Sequence, residues 1–145
     1  MRVVAQYLKD HSFENPRAPM SFRDGGGAPG VDVNVDVNAR GIGPNQFEVE
    51  LSVSTRARRG EEVIFMVETT YAGVFEITNV PEDQIEPLLL VEFPRLLFPF
   101  ARQIVAETTS AGNFPAIMLD PIDFYMIYQR NLAARAEEAG ASVGA

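Results

Sequence analysis

Three features of this chain could carry chemistry, and each has a plainer reading. His11 is the single histidine and cysteine is absent, so a Cys/His pair is excluded and any Ser/His/Asp triad has to centre on His11. With no serine evidently partnered to it, His11 reads as a loop-surface residue. The run Gly25-Gly26-Gly27-Ala28-Pro29-Gly30 has the glycines of a phosphate cradle. It lacks the Gly-Lys-Ser/Thr ending, and the sole lysine, Lys9, lies upstream, so it reads as a flexible turn. Asp120 and Asp123 could act as an acid/base carboxylate pair. Their placement in Asp120-Pro121-Ile122-Asp123 instead suits the N-cap, first and third positions of a helix. No catalytic set, cofactor site or cysteine-based zinc site is expected, and the chain is read as a non-enzyme.

Binding is the better prospect. Pro87 to Ile104 reads PLLLVEFPRLLFPFARQI, interrupted only by Glu92, Arg95, Arg102 and Gln103 among its apolar residues and prolines. A helix apolar in nearly every direction needs burial on all sides, and one small domain has little to cover it with. The segment is therefore expected at a subunit interface or in an apolar groove. Pro94 and Pro99 lack an N–H and crowd the preceding turn, which predicts a helix ending near Glu92, a break, and a second helix from about Pro99 to Gly112.

Composition narrows the partners. The chain has 145 residues, 46% of them hydrophobic and 22% charged, and carries a formal charge of −8. That describes one folded domain whose surface repels nucleic acid and anionic lipid and attracts basic partners. The N-terminus lacks a signal-peptide core and no apolar stretch is long enough to span a bilayer, so a soluble cytoplasmic protein is expected, with no membrane insertion.

Four strands are predicted ahead of the long helices. Arg2 to Lys9 is the first, followed by an irregular connection that carries Phe13, Met20 and Phe22. Val31 to Asn38 alternates strictly, with the valines on one face and Asp32, Asn34, Asp36 and Asn38 on the other. Phe47 to Ser54 repeats the pattern with Glu48 and Glu50 outward. Val63 to Tyr71 is the fourth strand, with Val63, Phe65 and Val67 facing in and Ile64, Met66 and Glu68 facing out. Asn79 is expected to cap the first helix, and the last runs from Asp120 to about Ala139 before a mobile tail. The result is an α+β domain at 1–139 with a tail at 140–145, its four-stranded antiparallel sheet covered by helices on one face and acidic on the other. Phe65 and Val67, together with Thr69, lie where helices and a second subunit are expected to meet.

Taken together, these segments resemble the SecB export-chaperone family. Phe93-Pro94-Arg95-Leu96-Leu97-Phe98-Pro99-Phe100-Ala101-Arg102 is similar to that family's Pro-x-x-Leu-Phe-Pro-Tyr-Ala-Arg stretch, with Phe100 in place of tyrosine. Lys9 to Pro19 resembles Lys-Asp-x-Ser-Phe-Glu-x-Pro-x-Ala-Pro. Gly112-Asn113-Phe114-Pro115, Leu119-Asp120-Pro121, and Gly60-Glu61-Glu62 leading to Ala72-Gly73-Val74-Phe75 follow in the family's order. The chain departs from the pattern at Thr69-Thr70-Tyr71, where Gln-Gln is usual, and at Phe93, where cysteine is usual.

The resemblance implies an ATP-independent holdase, assembled as a tetramer built from two dimers, that keeps precursor proteins unfolded and delivers them to the SecA motor. It implies a SecA contact at Asp10, Glu14, Met66 and Glu68, with any metal belonging to the partner. For clients, Phe13, Met20 and Phe22 are expected to face Phe98, Phe124 and Tyr128 across a groove, although aromatics at helical spacing also suit a core. Two other functions remain: a related chaperone dedicated to one client such as an antitoxin, and a protein whose groove takes small apolar ligands.

Overall fold

The computed structural model describes residues 1–23 and 27–144, so Gly25 and Gly26 of the glycine run, and Ala145, lie outside the described residues. Alternating residues pair into strands β1 (Arg2–Glu14), β2 (Gly30–Gly43), β3 (Gln46–Arg59) and β4 (Glu62–Glu76). They form one four-stranded antiparallel sheet, as expected, whose strand order is β1-β4-β3-β2, with each strand longer than its local pattern suggests. The added length comes from partners. Once Phe13 stands opposite Val67 and Phe75 opposite Phe47, residues without strong strand preference are carried along by the ladder.

The valines of β2, Val49, Leu51 and Val53 of β3, and Phe65, Val67, Thr69, Tyr71 and Phe75 of β4 share the inner face by register. Helices cover that face. One correction falls in β4: a register shift between Ala57 and Arg58 leaves Ile64 as an extra residue, and it is buried in the core instead of facing out with Met66.

The helical layer contains a larger correction. Helix α1 (Glu82–Pro87) passes through a π-helical turn (Leu88–Glu92) directly into α2 (Phe93–Ala111), so there is no break before Pro99, which lies inside α2. The wide turn explains how Pro94 is tolerated. Pro94 sits in the first turn of α2, and the carbonyl its ring would strike, that of Leu90, belongs to the π turn. The Phe93 N–H donates to the Leu88 carbonyl, five residues back. Burial anchors the run against the sheet: Val91, Phe93, Leu97, Phe98, Ala101 and Val105 are buried, and the Phe93 ring stacks on Phe75 at 3.9 Å.

The caps also differ. Asn79 is in a left-handed conformation at φ 58°, and Pro81 immediately precedes α1. Helix α3 (Phe124–Gly144) starts later than expected and extends past Ala139. Its N-terminus is satisfied by Asp123, whose Oδ1 accepts the Met126 N–H at 3.1 Å, while Asp120 is exposed on the connection. No helix among the described residues is long and apolar enough to cross a membrane.

Candidate functional site

The outer face of the sheet brings Asp10, Glu14, Met66 and Glu68 together. Asp10 stands opposite Thr70, Ser12 opposite Glu68 and Glu14 opposite Met66, so β1 and β4 present three consecutive rungs outward. Strand β3 continues those rungs with Ser52, Ser54 and Arg56, and β2 with Asp36, Asn34 and Asp32. Asp10, Asp36 and Glu68 rim a hollow of about 280 Å³ with Asn34, Ser52, Ser54 and Thr70 among its lining residues. The Met66 sulfur accepts from Arg56 Nη2 at 3.3 Å, which holds the guanidinium one rung away.

Toward the β2–β3 hairpin the same face is neutral. A register shift between Leu8 and Asp10 leaves Lys9 out of the pairing, and its side chain joins Asp10 on the outer face instead of alternating inward. Lys9 Nζ donates to Glu48 Oε1 at 2.9 Å and Glu50 Oε1 at 2.6 Å. Arg40 Nε donates to Glu48 Oε1 at 3.0 Å, and the Tyr7 hydroxyl donates to Glu48 Oε2. Glu48, expected as a solvated outward charge, is buried. The Tyr7 hydrogen bond and then that from Lys9 pull its carboxyl down to about 2, against the opposing cost of burial. The Tyr7 phenol is raised in turn, by burial and by the carboxylate it faces. The acidic face is thus confined to one half of the sheet.

The aromatics expected to meet clients divide between groove and core. Phe98 and Phe124, expected in the groove, are 6% and 1% exposed and meet edge to face at 6.0 Å. They are core residues. Tyr128 is half-buried on α3 and packs against that core. Phe22 and Met20 remain open at 43% and 53% exposed, in a short 3-10 turn between β1 and β2. Phe22 packs on Phe114 at 5.5 Å, Phe114 on Phe65 at 4.5 Å, and Phe65 on Phe13 at 6.2 Å. Two adjoining hollows of about 380 and 190 Å³ flank Phe114, one lined by Phe22 and Arg59, the other by Val31 and Ile117. Sequence reasoning missed Phe114 and Ile117 as groove residues, although Phe114 stands in the Gly-x-Phe-Pro block.

Phe65, Val67 and Thr69, expected at a subunit interface, are 2%, 0% and 2% exposed within this one chain. They pack its own core, so other residues must serve any such interface. His11 is no loop residue either: it lies on β1, with Nδ1 3.0 Å from the Thr69 hydroxyl and Nε2 3.0 Å from that of Thr108.

The family model for preprotein translocase subunit SecB matches residues 1–135. Among similar relatives, the protein-export protein SecB of Maricaulis maris (strain MCS10) is 52% identical over 142 residues, covering 98% of this chain and 83% of the relative. That of Bradyrhizobium sp. (strain BTAi1 / ATCC BAA-1182) is 45% identical over 143 residues, covering 99% and 88%. A solved SecB-like chaperone of Mycobacterium tuberculosis, in complex with a peptide from an antitoxin, has the same fold. Its TM-score is 0.69 at 15% identity, over 83% of this chain and 89% of that one. With its four-stranded sheet, its helical cover and a match running through nearly all of its length, the chain belongs to the SecB family of protein-export chaperones.

Proposed function

We propose that this protein is an ATP-independent holdase that binds unfolded precursors on its helical side and passes them to SecA from the outer face of its sheet. The observation that carries this reading is the separation of two unlike surfaces by one sheet. The exposed Phe22 and the half-buried Phe114 form an apolar groove edge on one side, and Asp10 and Glu68 rim an acidic hollow on the other. Aromatic surface accepts many apolar sequences, while carboxylates steer a basic partner and set its orientation. Family membership supports the assignment of the first surface to clients and of the second to SecA.

A homotetramer built from two dimers goes with this reading. Strand β1 is a sheet edge, and its exposed Leu8 pairs with Tyr71, on which the exposed Phe100 of α2 stacks. An apolar edge strand beside an apolar helix face is a surface for a second copy. Purified protein should suppress aggregation of an unfolded precursor without nucleotide, and Glu68→Lys should lose SecA binding while keeping that activity. Equal loss of both activities, or of neither, would overturn the division of labour.

A further inference from the structure

We propose that Lys9 is a positioning residue for the basic partner, confining it to the Asp10–Glu68 half of the outer sheet face. The inference rests on the reading of that face as the SecA surface and adds what limits its extent. Counted by sequence, the face is a continuous acidic field that includes Glu48 and Glu50. The structure divides it. Lys9 bonds both of those carboxylates and Arg40 bonds Glu48, so two anions meet two cations at the hairpin end. Asp10, Asp36 and Glu68, by contrast, have no ion pair among the described residues.

The β1 bulge creates this division. With regular alternation, Lys9 would point to the inner face and Asp10 alone to the outer one. The shift between Leu8 and Asp10 places a cation and an anion side by side on the same face, with Lys9 toward Glu48 and Glu50 and Asp10 in the hollow with Glu68. A basic segment approaching this face therefore finds attraction on one side of the bulge and an ammonium group on the other. Attraction sets affinity, and the Lys9 charge sets where the segment stops. Holding that ammonium against two carboxylates keeps it at a defined position.

The test is a titration of SecA against the wild type, Lys9→Gln, Lys9→Arg and Glu68→Lys, and the Lys9→Gln/Glu68→Lys double variant, at two ionic strengths. Lys9→Gln retains an amide donor for Glu48 and Glu50 but removes the charge. It is expected to bind SecA about threefold more tightly at low salt, with a steeper salt dependence, since one repulsion disappears and Glu50 is unmasked. In the double variant the Glu68→Lys defect should shrink, because the neutralised half of the face becomes an alternative site. Lys9→Arg should behave as wild type. Additive effects of the two substitutions, or unchanged binding by Lys9→Gln, would overturn the proposal. Loss of the fold by Lys9→Gln with Lys9→Arg intact would do the same, by assigning Lys9 a purely structural role. Indifference of wild-type binding to Glu68→Lys would instead remove the underlying SecA reading.

Discussion

The imidazole of His11 on β1 reaches the hydroxyl of Thr108 on α2 at 3.0 Å, tying an edge strand to the helix that covers the sheet. Thr108 donates its own proton to the Ile104 carbonyl at 2.7 Å, so it accepts from His11 Nε2–H, and Nδ1 accepts from Thr69. Nearby, Asn15 Nδ2 donates to the Gly112 carbonyl at 3.3 Å. Replacing His11 by Ala should cost about 1–2 kcal/mol by orphaning the Thr69 hydroxyl, and by Gln distinctly less. Urea unfolding of the two variants checks the order.

Glu48 predicts an acid-sensitive contribution to stability. Its folded carboxyl titrates near 2, below its ordinary value of 4.5, so the contribution is fully present above about pH 4.5 and is lost as pH falls toward 2. The size should be about 2 kcal/mol, allowing for the water that reaches one side of the cluster. Stability curves from pH 7 to pH 2 should flatten in Glu48→Gln over that window. An unchanged acid limb would place the acid sensitivity elsewhere.

Gly73 should accept no side chain. A Cβ there would lie 2.9 Å from the Phe75 ring and 3.2 Å from Leu97 Cδ2, beneath the stacked Phe75–Phe93 pair. Gly73→Val is expected to destabilise by about 2–3 kcal/mol through overpacking, read as a lowered thermal midpoint.

Phe22 and Phe124 should separate binding from folding. Phe124 is fully buried, so Phe124→Ala should cost about 3–5 kcal/mol. Phe22→Ala should change stability by less than about 1 kcal/mol, since one side of its ring is open, and should weaken holding of an unfolded precursor several-fold. Denaturation and aggregation-suppression assays on both variants read the split. Equal effects on stability would return Phe22 to the core.

Local pattern determined much of this protein. The Val31 to Asn38 alternation told which side of β2 is inward, because a strand's side chains alternate whatever its neighbours do. The Phe93 to Arg102 stretch and the blocks around it carried the family, which the comparisons show over residues 1–135. Tertiary structure decided what depends on pairing and coverage. The bulge that turns Lys9 outward arises between β1 and β4, and the locked state of Glu48 needs Tyr7, Lys9 and Arg40 from two other strands. The continuity of α1 into α2 through Pro94 and Pro99 depends on a widened turn and on burial against β4, neither of which is written in the proline spacing. Phe22 and Phe124 are the same residue type. Only the packing around them makes one a groove wall and the other a core residue, because burial belongs to the neighbours that distant parts of the chain bring together.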